Sequence, residues 1–217
     1  MKVFVGMETS GVMRRAFQNR GHDVVSCDFL PSEDDAPEHW QMDVFEALEQ
    51  LWLFYGWHPD LAIFHPTCTY LTISAEWAYG PGPYHQKVKP ETLVGAARVE
   101  EREKAVAQFR KILDLPIYKI AVENPVGVIS TRIRKPDQVV QPWWFGDDAS
   151  KATCLWLKHL PPLPKTKPVP PRVVNGRKLW GNQTDSGQNK LTPGPDRWKD
   201  RARTYPGFAA ACAWMWG

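Results

Sequence analysis

The amino-acid sequence predicts an α/β protein built around a mainly parallel sheet. Its 217 residues are enough for one domain of ordinary size. Short apolar runs recur along residues 1–125, and segments with helical spacing lie between them. Strands that alternate with helices favour parallel pairing with right-handed crossovers. The rest of the chain lacks this alternation, which predicts a small irregular C-terminal lobe.

The first three predicted elements form a strand-helix-strand unit. Residues 2–6 (KVFVG) are an apolar run stopped by glycine, and residues 12–19 have helical spacing. Residues 23–28 (DVVSCD) are a second apolar run, which ends in an acid. The turn after the first strand, GMETSG, differs from the dinucleotide-binding pattern GxGxxG. Taken alone, this turn predicts no particular ligand.

The alternation continues through the middle of the chain. We predict helices at residues 44–54 and 91–113, and strands at residues 61–64 and 118–122. The longer helix has an inward stripe formed by Leu93, Ala97, Val106, Phe109 and Leu113. Residues 72–90 contain prolines and glycines between aromatic residues, which predicts a long mobile loop.

Cysteine usage narrows the class of protein. The four cysteines, Cys27, Cys68, Cys154 and Cys212, are widely spaced and form no CxxC pair. This spacing argues against a zinc site or a disulfide framework and favours a reducing, cytoplasmic location. No apolar run approaches membrane-spanning length. We therefore predict neither a bound metal nor contact with a membrane.

Charge is distributed unevenly along the chain. Residues 1–131 contain 12 Lys and Arg against 18 Asp and Glu, whereas residues 132–217 contain 15 against 6. A basic C-terminal part beside an acidic N-terminal part favours a polyanion, such as nucleic acid, on one side of the molecule. The alternative is an ordinary solvated basic surface.

The basic part of the chain is also rich in aromatic residues. Candidates for stacking on bases are Trp143, Trp144, Phe145 and Trp156. Candidates for holding phosphates are Arg132, Arg134, Lys135 and Lys151. The alternative is that the tryptophans form the core of the small lobe, and the sequence leaves both interpretations open.

Two reactive side chains follow buried strands of the predicted sheet. Cys68 comes just after residues 61–64, and Glu123 ends the strand predicted at residues 118–122. Because the carboxyl ends of parallel strands meet at one edge of a sheet, we expect the thiol and the carboxyl to lie close together. A thiolate that adds to C6 of a pyrimidine, while an acid protonates N3, makes C5 nucleophilic enough to attack a methyl donor.

This chemistry places requirements on both groups. Burial should raise the pKa of the Glu123 carboxyl, so that it holds a proton at neutral pH. The Cys68 thiolate should have a polar or positively charged setting. The alternative is that Cys68 is a packed small residue and that Glu123 belongs to a turn. We interpret the neighbouring His65 as a hydrogen-bonded structural residue, with a proton carrier as the alternative.

Four motifs occur in a fixed order along the chain: FVGMETSGVMRRAFQNRGHDVVSCD, the segment around Asp43, FHPTC and AVENP. They resemble the cofactor-binding, proline-cysteine and glutamate-asparagine motifs of the cytosine-C5 DNA methyltransferases, in particular the compact versions of phage and prophage genomes. The resemblance covers most of residues 1–134, and the ending RTYPGFAAACAWMWG is similar to the family's last helix.

The resemblance implies a Rossmann-like, S-adenosylmethionine-dependent methyltransferase sheet and three parts of the chain. Residues 1–134 would form the cofactor-binding and catalytic domain. Residues 135–200 would form a small basic recognition lobe rich in Trp and Pro, and residues 201–217 would form a helix that returns to the catalytic domain.

The resemblance also implies roles for individual residues. The catalytic set would be the nucleophile Cys68, the ring-protonating Glu123, and Arg132 with Arg134, which would steady the nucleotide. The residues around S-adenosylmethionine would be Met7, Glu8, Thr9, Ser10, Gly11, Asp28, Phe29, Asp43, Val44 and Pro66. The residues that contact the substrate would be Asn124, Trp143, Trp144 and Lys135.

The implied activity is methyl transfer from S-adenosylmethionine to C5 of a cytosine in DNA. The sequence departs from the family in having His65-Pro66-Thr67-Cys68 where a second proline is usual, and the segment left for target recognition is short. Two alternatives therefore stay open. One is C5 modification of a free pyrimidine nucleotide, and the other is an inactive relative that binds DNA or a protein.

Overall fold

The computed structural model describes residues 1–85, 88, 90–192, 194 and 197–217, and its largest element is a seven-stranded sheet. The strands of this sheet are β1 (Lys2–Gly6), β2 (Asp23–Asp28), β3 (His39–Gln41), β4 (Leu61–Phe64), β5 (Lys119–Pro125), β6 (Gln138–Val140) and β7 (Thr153–Lys158). A separate hairpin consists of β8 (Arg172–Val174) and β9 (Arg177–Leu179). The helices are α1 (Val12–Gln18), α2 (Val44–Tyr55), α3 (Gly95–Leu113), α4 (Ile129–Arg132), α5 (Arg197–Ala202) and α6 (Pro206–Trp216).

The strand order is β3-β2-β1-β4-β5-β7-β6. The first five strands pair in parallel, whereas β7 is antiparallel to both of its neighbours, β5 and β6. After β3 at one edge, the chain returns to place β4 on the other side of β1. This creates a topological switch point between β1 and β4, where ligands of open α/β sheets bind. The predicted fold class, a mainly parallel Rossmann-like α/β sheet, is confirmed.

Side chains alternate between two cores, one on each face of the sheet. In β1, Phe4 packs with α2 and α3 on one face, while Val3 and Val5 pack with α1 and α6 on the other. Both faces are covered, which explains why the central strands are continuous apolar runs. Helix α6 lies against α1, as the similarity of the chain's ending to a returning last helix implied.

The sheet extends beyond residue 134. Strands β6 and β7 pair with it, so residues 138–158, which the sequence analysis assigned to the small lobe, belong to the main sheet. The fully buried Trp156 of β7 lies edge-on to Phe109 of α3, with ring centroids 5.0 Å apart. Trp156 is therefore a core residue and is not available to stack on bases.

Helix α3 buries a different face from the one predicted. Val106 and Phe109 are buried as expected, but Leu93 lies before the helix and is 40% exposed. Arg98 and Arg102 occupy the inward face of its first half instead. The reason is that this half packs against the backbone of the segment after Cys68, which offers carbonyl groups rather than apolar side chains.

Arg102 holds that segment in place. Its Nε donates to the Tyr70 carbonyl at 2.8 Å, and its Nη2 lies 2.6 Å from a carboxylate oxygen of Glu76. Its guanidinium also lies 3.4 Å from the centroid of the Tyr79 ring. The first part of the loop predicted to be mobile is thus bound to α3. Residues 86, 87 and 89 of that predicted loop lie outside the described residues.

We expect Arg102→Ala to lower the free energy of unfolding by about 2–3 kcal/mol, because it removes a buried donor of charge-assisted hydrogen bonds. Amide hydrogen exchange at residues 69–79 should speed up more than elsewhere. Arg110→Ala, on the exposed side of the same helix, is the matched control and should change neither quantity by much. Equal exchange rates in both variants would contradict a tethering role for Arg102.

Candidate active site at the carboxyl edge of the sheet

The turns that carry the predicted site residues converge on one edge of the sheet. Strands β1 to β5 are parallel, so the turns that follow them leave the sheet on the same side. Because β7 is antiparallel to both β5 and β6, β6 runs parallel to β5 and also ends there. The segment 141–152, which connects β6 to β7, therefore lies at this edge as well.

The turn that carries Cys68 is fixed to the end of β5. In the register of the two strands, Phe64 lies opposite Val122. The buried Asn124 donates from Nδ2 to the Pro66 carbonyl at 2.7 Å. On the far side of Cys68, Val128 N donates to the Leu71 carbonyl at 2.8 Å. The thiol is therefore positioned from both sides relative to Glu123.

Gly127 permits this contact between the two turns. A Cβ atom at this position would lie 2.1 Å from the Leu71 carbonyl oxygen, so any side chain would push the Cys68 turn away. Here the absence of a side chain serves close backbone approach.

The partners of Glu123 favour its ionised form. Burial raises the pKa of its carboxyl, but the hydrogen bond from His65 and the positive charge of Lys151 outweigh burial and lower the pKa below its ordinary value. His65 Nδ1 lies 3.0 Å from Glu123 Oε2, and the two side chains are only 10% and 13% exposed. The expectation of a raised pKa for Glu123 was wrong, because no sequence pattern indicated that His65 and Lys151 would lie beside it.

The surroundings of Cys68 favour its thiol form. Burial raises its pKa, and the negative charge of Glu123 raises it further, while Lys151 and Arg201 oppose both effects. The expected setting for a preformed thiolate is therefore only partly present. The two nearby cations favour the thiolate, but they do not overcome burial and the neighbouring carboxylate.

The turn after β1 is strained and tightly organised. Met7 adopts a left-handed conformation with φ of 63°, and its N–H donates to the Cys27 carbonyl at 2.6 Å. Glu8 Oε1 accepts hydrogen bonds from the Ser10 hydroxyl and, at 3.1 Å, from Val12 N at the start of α1. The other carboxylate oxygen, Glu8 Oε2, is buried and has no hydrogen-bond partner among the described residues. Thr9 contributes its carbonyl oxygen, which accepts a bond from Glu33 N.

Gly11 and the acidic loop after β2 close this turn. Gly11 has φ of 66°, and a Cβ there would lie 2.5 Å from side-chain nitrogens of Arg14 and Arg15. Both arginines form ion pairs with Asp34. Although partial burial opposes it, hydrogen bonds from Ser32 and Arg14 and the charge of Arg14 lower the pKa of Asp34 to about 2.

Asp34 should make stability depend on acid pH. A carboxyl whose pKa is lower in the folded than in the unfolded state stabilises the protein above the unfolded pKa, and this contribution is lost as pH falls through the folded value of about 2. After allowing for solvent screening, we expect Asp34→Asn to cost about 1 kcal/mol at pH 7. The difference from wild type should shrink between about pH 4 and pH 2 in urea titrations. Asp35→Asn is the matched control, and an equal, pH-independent loss in both variants would contradict this role.

The acids predicted to surround the cofactor lie at the ends of β2 and β3. Asp28 accepts from Leu30 N at 2.9 Å, and burial raises its pKa. Asp43 caps α2, accepting from Phe45 N at 2.8 Å. Phe29 is 65% exposed at this edge, whereas Val44 is buried in the core.

Arg132 and Arg134 are not brought to the thiol. Arg132 forms an ion pair with Glu103 on α3. Arg134 forms one with Asp137 at 2.8 Å and donates to the carbonyl of Leu157, which lies opposite Ala121 in the middle of β5. Lys135 is exposed beside them.

The predicted substrate tryptophans pack against the small lobe. Trp143 stacks on Trp180 with ring centroids 5.0 Å apart, and Lys165 Nζ lies over the rings of Trp143 and Trp144 at 5.2 and 4.7 Å. Phe145 is buried against Phe208 of α6. These contacts favour the lobe-core interpretation for these aromatic residues.

Three site residues were missed or given another role by the sequence analysis. His65 was interpreted as structural, Lys151 as a phosphate contact, and Arg201 was not considered. The only sequence signal for His65 is its place next to Pro66. Lys151 reaches the site because β7, which follows it, is antiparallel to β5. Arg201 reaches the site from α5, the helix before α6. No local sequence pattern indicates either position.

The space beside Glu123 is small. A cavity of about 10 Å³, enough for one water molecule, is lined there by Glu123, Lys151, Thr153, Thr204, Tyr205 and Phe208. Thr204 and Tyr205 also line a second, open cavity of about 400 Å³, together with Asn182, Lys190 and Arg203. Residues 204 and 205 therefore separate the buried carboxylate from an open cavity large enough for a nucleotide-sized ligand.

Within the described ranges, no group of three or more His, Cys, Asp or Glu side chains is arranged to hold a metal ion. None of the helices described in the structure is long and apolar enough to cross a membrane.

Comparisons with known proteins give one partial structural match to report. No family model and no curated protein matches the chain. Among solved structures, the chain is similar to a crystal structure provisionally described as a DNA modification methyltransferase encoded within a prophage (E. coli), with a TM-score of 0.46 and 13% sequence identity. The match covers 72% of this chain and 46% of that chain, so this chain spans less than half of its length. At this level of similarity the match carries no information about activity.

Proposed function

We propose that the protein transfers a methyl group from S-adenosylmethionine to C5 of cytosine in DNA through a covalent adduct on Cys68. The observation that carries this proposal is the convergence of the Cys68 thiol and the Glu123 carboxylate at the carboxyl edge of the sheet, with Lys151 beside both. A nucleophile next to an acid-base group is the pair that activation of a pyrimidine C5 requires.

The residues at the switch point fit the cofactor. When bound, S-adenosylmethionine supplies an electrophilic methyl group. The buried and unpartnered Glu8 Oε2 would accept a hydrogen bond from its ammonium group. Asp28 would hold the ribose hydroxyls, and the exposed ring of Phe29 would provide an apolar surface for adenine. Asp43, at the start of α2, would lie on the adenine side.

The chain's own residues would then activate the cytosine. Lys151 and Arg201 favour loss of the Cys68 proton, and the sulfur forms a bond to C6 of the ring. The electron pair of the C5=C6 bond moves into the ring as N3 takes a proton from the protonated form of Glu123. C5 would then be nucleophilic enough to take the methyl group that the cofactor supplies, which would leave S-adenosylhomocysteine. Loss of the C5 proton and release of the Cys68 sulfur restore the double bond and give 5-methylcytosine.

DNA as the acceptor is supported by the positive charge around the site. It also requires an opening through which a target base can reach Glu123. The cations Lys151, Lys190, Arg201 and Arg203 lie around the site and its open cavity, which suits a phosphate backbone. A target cytosine must leave the duplex to reach a buried carboxylate. Since the cavity that Glu123 lines with Thr204 and Tyr205 holds about one water molecule, we expect residues 204 and 205 to move when the base enters.

The proposal is tested by incubating the protein with methyl-labelled S-adenosylmethionine and three acceptors: duplex DNA, single-stranded DNA and dCMP. Label recovered as 5-methylcytosine in DNA supports the proposal. Label in dCMP alone would favour the free-nucleotide alternative. Cofactor or DNA binding without label in any acceptor would favour the inactive relative.

A further inference from the structure

We propose that His65 is a positioning residue that holds the proton that Glu123 delivers to N3 of the pyrimidine. This inference rests on the proposed function. It assigns a catalytic contribution to a residue outside the nucleophile and acid that the resemblance implies.

The geometry supports a proton shared between His65 and Glu123. His65 directly follows β4, and its Nδ1 lies 3.0 Å from Glu123 Oε2. Both side chains are largely buried, so little water competes for this hydrogen bond. Lys151 acts on Glu123 through its charge, and no hydrogen bond joins the two within the described part of the chain.

The second ring nitrogen of His65, Nε2, indicates a place where a ligand or a water molecule can bind. His65 Nε2 is buried and has no hydrogen-bond partner in the described residues, and the same is true of Asn124 Oδ1. Buried polar atoms are normally paired, and an unpaired one at a site edge is often completed by a ligand or water. One of these atoms therefore belongs to the hydrogen-bond partner of Glu123, and the other belongs to the next residue in β5.

An ionised Glu123 creates a need for this proton. A carboxylate can accept a hydrogen bond but has no proton to give to N3. In the proposed sequence, His65 Nδ1 gives its proton to the Glu123 carboxylate, and Glu123 passes that proton to N3 as the Cys68 sulfur bonds to C6. His65 changes from imidazolium to neutral imidazole, and the carboxylate is regenerated. When the sulfur leaves, N3 returns the proton along the same path, so the balance closes.

The titratable and charged groups that face the pair of His65 and Glu123 are Cys68, Lys151, Cys154, Tyr205 and Cys212. Burial raises the pKa of the three thiols, and histidine is the side chain whose ordinary titration lies between pH 5 and 8.

The test compares His65→Asn with the matched control His58→Asn. Asparagine keeps an N–H donor near the position of Nδ1 but cannot exchange a proton at neutral pH, and His58 is exposed at the opposite end of β4. We expect His65→Asn to lower kcat about 10²- to 10³-fold with KM values changed less than about threefold, and to abolish the fall of wild-type kcat at alkaline pH. His58→Asn should match wild type. An unchanged pH profile in His65→Asn, with or without a lower kcat, would reduce His65 to a structural role and overturn the inference.

A second measurement does not depend on activity. NMR titration of the His65 ring in wild type and in Glu123→Gln should show its midpoint falling by about one pH unit when the carboxylate is removed. An unchanged midpoint would refute the shared proton even if the enzyme is active. Conversely, absence of methyl transfer by wild type would refute the proposed function, whatever the titration shows.

Discussion

Cys68→Ser is expected to lower methyl transfer to DNA by about 10⁴- to 10⁶-fold, because a serine hydroxyl does not supply the nucleophile that adds to C6. Cofactor affinity should stay within about twofold of wild type, since the residues proposed to hold S-adenosylmethionine lie in other turns. Single-turnover assays with labelled cofactor, together with calorimetric titration of S-adenosylhomocysteine, measure the two effects separately.

Cys154→Ala is the matched control for loss of a cysteine. Cys154 lies in β7, is almost completely buried and has no place in the proposed reaction. Its replacement should lower stability slightly and leave the rate per folded molecule unchanged. A Cys68→Ser variant that still transfers methyl groups at more than about a tenth of the wild-type rate would rule out the covalent route.

Glu123→Gln is expected to lower kcat by about 10²- to 10⁴-fold, the usual contribution of a positioned acid-base group. Glutamine keeps the volume of the side chain and can still bond to His65, but it cannot relay a proton to N3. The variant should fold and bind cofactor. Rates measured from pH 5 to pH 9 should show that its residual activity lacks the alkaline fall expected for wild type.

The matched control for this charge is Glu100→Gln. Glu100 is exposed on α3 and pairs only with Lys104, four residues later, among the contacts described. Its loss should leave kcat unchanged. If Glu100→Gln and Glu123→Gln have equal activity, Glu123 plays no part in the reaction.

Much of the fold could be predicted because apolar runs and turn signals are local. Strands β1, β2 and β4 have the bounds that their apolar residues predicted, and α2 begins at the expected residue. Helix α6 begins at Pro206, five residues after the start of the segment 201–217 that was expected to form the last helix. The placement of Cys68 near Glu123 also followed from local evidence, since two strand ends in a parallel sheet share an edge.

The features that could not be predicted depend on contacts between distant segments. Strand β3 has three residues and is the edge strand of the sheet, so it lacks the apolar run that identifies a central strand. Arg98 and Arg102 are buried because they bind backbone carbonyls, whereas hydrophobic periodicity assigns arginines to the surface.

The electrostatics of the site were predicted least well. The direction of the Glu123 pKa shift depends on whether burial or its partners prevail, and those partners come from residues 65 and 151. The resemblance implied a substrate contact for Arg132 and Arg134, and this role stays a prediction. Their partners, Glu103 and Asp137, could be assigned only once the helix and sheet positions were known.

The most direct test uses duplex DNA that contains 5-fluorocytosine at target sites, together with S-adenosylmethionine. Fluorine at C5 cannot leave as the proton does, so the reaction should stop with the sulfur still bonded to C6. We expect a protein–DNA complex that survives denaturation, with the nucleotide mapped by mass spectrometry to the peptide containing Cys68. Methylation of ordinary DNA without any trapped complex, or a trapped complex on another residue, would contradict this expectation.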